Sequence, residues 1–187
     1  MLNTQESIMG ADQKERELIN DVLSVFPFKK TIYKELENIK IYVLNEKEAF
    51  QPYIKNWNND IAVIDEEPLP GGVYLHNQNI LLLRRPLDEH LIAHEYAHAV
   101  DKALGYISEE KSFKSLYQEG GKAISKDAYF SNTEWFAENL AASLGWTLDG
   151  KKNEEAKKIL YEVEPKAAVL FESFLQKHRT NTTNITR

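Results

Sequence analysis

Apolar residues recur at helical spacing over residues 12–25, with Leu18, Ile19, Val22, Leu23 and Val25 on one face, and Phe26-Pro27 closes the run. Helical patterns are also expected over 29–38 and 46–57. Between them Ile39, Ile41 and Val43 alternate with Lys40, Tyr42 and Leu44, the period of a short strand. Residues 61–64 form another short apolar run, bounded by acids. Gly71-Gly72 then opens a hairpin: Val73-Tyr74-Leu75 and Ile80 to Leu83 are strand-like, and His76-Asn77-Gln78-Asn79 between them has turn chemistry.

From Pro86 onward the pattern is mostly helical. Asp88 is a fitting N-cap for a helix that runs through Leu91, Ile92, Ala97, Val100 and Leu104 until Gly105 stops it. Further helices are expected over about 109–124, 132–146 and 153–178. The Thr- and Asn-rich residues 179–187 read as a disordered tail. No repeat or linker divides the chain, so residues 1–187 read as one domain of α+β class, mainly helical with a small sheet.

Composition narrows the chemistry. Among 187 residues 42% are hydrophobic, enough for a real core, and a net charge of −6 lacks the basic stripe that collects nucleic-acid phosphates. No cysteine is present, so disulfides, thiolate nucleophiles and Cys-type zinc sites are excluded, and any metal must use His and carboxylates. No stretch approaches the roughly 18 apolar residues of a membrane span. Oligomeric state has no signature in the sequence.

Residues His94-Glu95-Tyr96-Ala97-His98 form the pattern H-E-x-x-H. Positions four apart lie one above the other on a helix, so both imidazoles can reach one ion, while Glu95 is turned aside to meet a water on it as general base. The helix around the motif is apolar, and burying two histidines without partners would be costly. Catalytic zinc takes three protein ligands, so one more is needed. The longer motif with Gly three and His six residues beyond His98 is excluded, because Asp101 and Leu104 stand there. Asp101 shares the helix face as an outer-sphere or structural acid.

A glutamate on a later helix remains. Glu134 and Glu138 are four apart in Asn132-Thr133-Glu134-Trp135-Phe136-Ala137-Glu138. Glu134 would bind the ion, and Glu138 would take a hydrogen bond from the far nitrogen of one ligating histidine. Ser131-Asn132-Thr133-Glu134 also fits a capping box, in which Glu134 would bond backbone instead. Glu119 is then the alternative ligand. His76 in the hairpin turn is expected to face solvent, and so is His90, one turn before His94, with an outer-sphere role beside the metal group as its alternative.

His94 to Asp101 together with Glu134 to Glu138 resemble the family comprising the anthrax lethal factor catalytic domain and the secreted bacterial Pro-Pro endopeptidases. Gly71-Gly72 before a strand, Ser112 to Tyr117 ahead of Glu119, and Phe171 and Phe174 in the last helix are similar too, over about residues 40–178. The resemblance implies a zincin-like fold with the sheet ending in an edge hairpin, one Zn2+ held by His94, His98 and Glu134, and Glu95 as base. It implies that Tyr129 meets the oxyanion, although the loop from Tyr129 to Glu134 is shorter here than in the family. It also implies that Gly72, Val73 and Tyr74 are the edge on which an extended substrate lies.

The leading expectation is a zinc metalloendopeptidase acting on a protein or peptide substrate. Two others stand beside it: a zinc-stabilised binding module without turnover, and a cytoplasmic regulatory protease acting on a repressor-like partner. The resemblance implies secretion. The polar start, Met1 to Ser7, lacks the layout of a signal peptide and makes the cytoplasm the alternative.

Overall fold

The computed structural model describes residues 7–28, 35–53, 70–119, 124–147 and 150–178. Its strands are β1 (Ile8–Met9), β2 (Lys40–Leu44), β3 (Gly72–Leu75) and β4 (Ile80–Arg84). Its helices are α1 (Gln13–Val25), α2 (Glu89–Ala103), α3 (Lys111–Gln118), α4 (Asn132–Leu144), α5 (Asn153–Val163) and α6 (Pro165–His178). The expected α+β class holds. The apolar run at 61–64 and the tail at 179–187 lie outside the described residues, as does most of the helix expected over 29–38.

The sheet has the order β1-β2-β4-β3, with the first two pairings parallel and the β4–β3 hairpin antiparallel. Its central strand β4 is buried throughout, which is why it reads as an unbroken aliphatic run rather than an alternation. Alternation sorts the other side chains. Ile41, Val43, Tyr74, Leu81 and Leu83 face the helices, while Leu44, Leu75, Ile80 and Leu82 meet Phe50 on the opposite face. Arg84, buried at the end of β4, stacks over Phe50 at 4.1 Å and donates to the carbonyls of Pro70 and Glu48. β3 forms the edge, and among the described residues no strand lies beyond it.

Asp88 caps α2 as expected, its carboxylate accepting from the Leu91 N–H at 2.7 Å. Every α2 residue from Ile92 to Asp101 is buried, between the sheet on one side and α4 on the other. Trp135 and Phe136 of α4 point into an aromatic core with Phe113, Phe171 and Phe174. Gly145 ends α4 at φ 115, the left-handed cap that glycine adopts without strain.

Three expectations change. The single helix expected over 153–178 is two, because Pro165 excludes a helical Glu164 and starts α6 itself. The break is used: Glu164 is buried and accepts from Trp135 Nε1 at 2.8 Å and from the Ile124 N–H at 3.0 Å. Residues 46–53 form turns and one 3-10 turn over Gln51–Tyr53, with Pro52 opposing a regular helix. Within the helix expected over 109–124 the structure forms α3, preceded by a separate 3-10 turn over Ile107–Glu109, and residues 120–123 lie outside the described residues. Among the described residues, no helix is long and apolar enough to cross a membrane.

Candidate metal centre

Two helices aim their chemistry at each other. The α2 face carries His90, His94 and His98 at four-residue intervals, and the α4 face opposite carries Glu134 and Glu138. His94 Nε2 lies 3.2 Å from His98 Nε2 and 3.0 Å from Glu134 Oε2, and His98 Nε2 lies 3.4 Å from Glu134 Oε1. Three donors so close form a group able to hold a metal ion. Glu119, the alternative ligand, is elsewhere: its exposed carboxylate pairs with Lys166 at 2.9 Å.

Behind His94 lies Glu138, whose side chain is only 1% exposed. Its Oε1 is 2.8 Å from His94 Nδ1 and its Oε2 is 3.2 Å from His90 Nε2. His90 therefore meets a buried carboxylate rather than solvent, the alternative that its four-residue spacing from His94 offers. His90, His94 and Glu138 also group closely enough for an ion. The first group is the more accessible candidate: Glu134 is 30% exposed and open to solvent, whereas Glu138 is sealed.

The charges are mutually dependent. Burial works to raise the Glu134 carboxyl, but hydrogen bonds from His94 and His98 outweigh it and hold the group far below the usual carboxylate range. Glu138 follows the same balance with His90 and His94 and is brought down to about 2. For His94, burial opposes the cation, yet Glu134 and Glu138 prevail and lift it well above its ordinary value. Glu95, 7% exposed, is pushed up by burial against the opposing pull of His94, His98 and a hydrogen bond from the Tyr74 backbone.

Other expected residues fall into place around this group. Asp101 is buried, and its two oxygens accept from the Ser108 N–H at 2.8 Å and Ser108 Oγ at 2.7 Å. These bonds brace the turn after α2. Tyr129 stands on the 3-10 turn leading into α4 with its side chain outward, the residue being 63% exposed. Gly72, Val73 and Tyr74 form β3 alongside α2, and Gly72 lies directly against Glu95.

His76 was also expected in solvent and is instead half buried. It stacks on Tyr106 with centroids 5.8 Å apart and lies 6.5 Å from the His98 ring. Only packing of the hairpin turn against the end of α2, where Lys102 bonds the His76 carbonyl, reveals this.

The sequence matches no family model and no curated protein. The structure is similar to that of the Pro-Pro endopeptidase PPEP-2 from Paenibacillus alvei, with a TM-score of 0.64 over 91% of this chain and 98% of that one. Identity between the two is 16%, so the likeness is one of fold.

Proposed function

We propose that this chain, which has the fold of a Pro-Pro endopeptidase, is a zinc-dependent metalloendopeptidase that cleaves an extended segment of a protein substrate. The convergence of His94, His98 and Glu134 carries the reading. Donors about 2.0–2.1 Å from a tetrahedral zinc ion stand about 3.3 Å from one another. The separations here are 3.0, 3.2 and 3.4 Å, and two imidazoles with one carboxylate suit that ion.

In this reading His94, His98 and Glu134 hold zinc, and Glu138 fixes the tautomer and tilt of His94. When bound, zinc there would polarise the scissile carbonyl and make a water acidic enough to attack it. Glu95 takes the proton from that water and delivers it to the leaving amine. Tyr129, exposed in this structure, would have to turn inward to bring its hydroxyl to the oxyanion; Tyr129→Phe should lower kcat about a hundredfold with zinc content unchanged, and an unaltered kcat would remove the assignment. The substrate lies along β3 as an added strand, with backbone bonds supplying affinity.

The test has two parts. Protein purified without chelator should contain close to one zinc per chain by elemental analysis. Wild-type chain should cleave members of a peptide library, and Glu95→Gln should keep the metal and lose the cleavage. Zinc-free protein that stays empty after incubation with zinc ends the metalloenzyme reading. Zinc without cleavage leaves the binding module.

A further inference from the structure

Gly72 is a glycine with no conformational reason to be one. The positive-φ glycines among the described residues are Gly10, Gly105, Gly145 and Gly150, and Gly72 is in ordinary strand geometry. A glycine inside a strand weakens it, and where φ is unremarkable the usual cause is close approach by something else. Here the neighbour is a side chain. A Cβ on Gly72 would lie 2.7 Å from Cγ of Glu95 and 3.0 Å from both its Cδ and Oε1.

The hairpin register explains how that carboxylate comes to the strand. The Arg84 N–H bonds the Gly71 carbonyl at 2.7 Å, and the pairs Val73–Leu82 and Leu75–Ile80 continue the same two-residue rhythm. Gly72 and Tyr74 are the intervening residues, so their amides point away from β4 toward the open edge. The Tyr74 backbone on that edge favours the charged form of the Glu95 carboxyl. Glu95 thus lies against Gly72 on this edge strand, on the same helix as His94 and His98.

We propose that Gly72 is a positioning residue for Glu95: the absent side chain is the clearance that lets the carboxylate lie against the edge strand and face the metal group. The contact falls on Cγ, in the middle of the side chain, and Glu95 is only 7% exposed. A methyl group there cannot be avoided by swinging a free end into solvent; it moves the carboxylate. The strand on which a substrate would lie therefore also sets the place of the base. The catalytic half of this inference rests on the peptidase reading above, and the steric half does not.

Gly72→Ala should keep one zinc per chain with affinity within a few-fold of wild type. Its kcat should fall on the order of a hundredfold, the cost of misplacing a reacting group by about 1 Å, with a smaller change in KM. The second readout is a double-mutant cycle in chemical denaturation, comparing Gly72→Ala in the wild-type and Glu95→Ala backgrounds. The drop in midpoint seen with Glu95 present should largely disappear without it. Gly71→Ala, whose added Cβ would meet Leu91 Cδ1 at 3.2 Å, should show no such dependence on residue 95. Full kcat in Gly72→Ala, loss of its zinc, or an equal midpoint drop in both backgrounds overturns the proposal. A wild-type chain that cleaves nothing sinks the peptidase reading and leaves the cycle to decide the clearance.

Discussion

The first turns of α1 and α4 carry the same local code and use it differently. Each has a capping residue followed three positions later by glutamate: Asp12 and Glu15 in α1, Ser131 and Glu134 in α4. In α1 the box closes on itself. Asp12 Oδ1 accepts from the Glu15 N–H at 2.9 Å, and the Asp12 N–H donates to Glu15 Oε2 at 2.8 Å. Glu15 Oε1 takes Arg85 Nε at 2.6 Å. In α4 Ser131 does its half, accepting from the Glu134 N–H at 3.1 Å, while both Glu134 oxygens turn to His94 and His98.

The difference is in what stands opposite. The start of α1 faces one guanidinium that suits a carboxylate already bonded to backbone. The start of α4 faces two imidazoles on a buried helix, and they draw the glutamate off its own helix end. Both carboxyls are lowered from their ordinary value, Glu15 chiefly by the Arg85 hydrogen bond and Glu134 by imidazoles working against burial. One glutamate closes its own helix end and the other joins the imidazoles, and substitutions should separate them.

Glu134→Ala carries the largest expected effect. Zinc affinity in chelator competition should fall by more than the roughly 10–100-fold typical of losing an outer partner, and cleavage should vanish. The metal-free variant should also denature at a somewhat lower midpoint than metal-free wild type, because His94 and His98 lose a buried carboxylate partner. Wild-type zinc affinity in this variant would return Glu134 to being a cap. Glu138→Gln should stand next, weakening zinc by roughly 10–100-fold through a loosened His94; an unchanged dissociation constant would make Glu138 mere filling.

Glu15→Gln should reverse the pattern, with zinc content intact and about 1 kcal/mol of stability lost. Its pH signature has a definite sign. A carboxyl lowered on folding contributes stability that is present above its unfolded value near 4.5 and lost as pH falls through the folded one. Between about pH 5 and 3 the midpoint should therefore drop less steeply in Glu15→Gln than in wild type. Parallel curves would mean the α1 box contributes nothing to the acid limb. Ser131→Ala is the mildest change, about 1 kcal/mol from the lost cap with zinc affinity within a few-fold. A large loss of zinc there would show that Ser131 also aims Glu134.

Much of this was legible because it is local. Helix α2 between Asp88 and Gly105, the hairpin with its turn at His76 to Asn79, and α4 with two glutamates on one face all follow from spacing and end signals. Pro165 is an equally local signal that the last helix must break, and it overrides the apolar pattern that continues across it. His90 and His76 were less accessible, since an imidazole's surroundings depend on segments far along the chain. Glu138 is 48 residues from His90, and the stacking partner Tyr106 comes from the turn beyond α2.

The sequence by itself determined which side chains share a face: His94 with His98, Glu134 with Glu138, Gly72 with Tyr74. Helical and strand periods set those relations within a few residues, whatever the rest of the chain does. Only the tertiary structure decided that the α2 face meets the α4 face, that Glu134 leaves its capping box for the imidazoles, and that Glu95 lies against Gly72. Those choices join residues 23 to 48 positions apart. They are made by burying α2 between sheet and α4, where a charged group must find a partner or not be there at all.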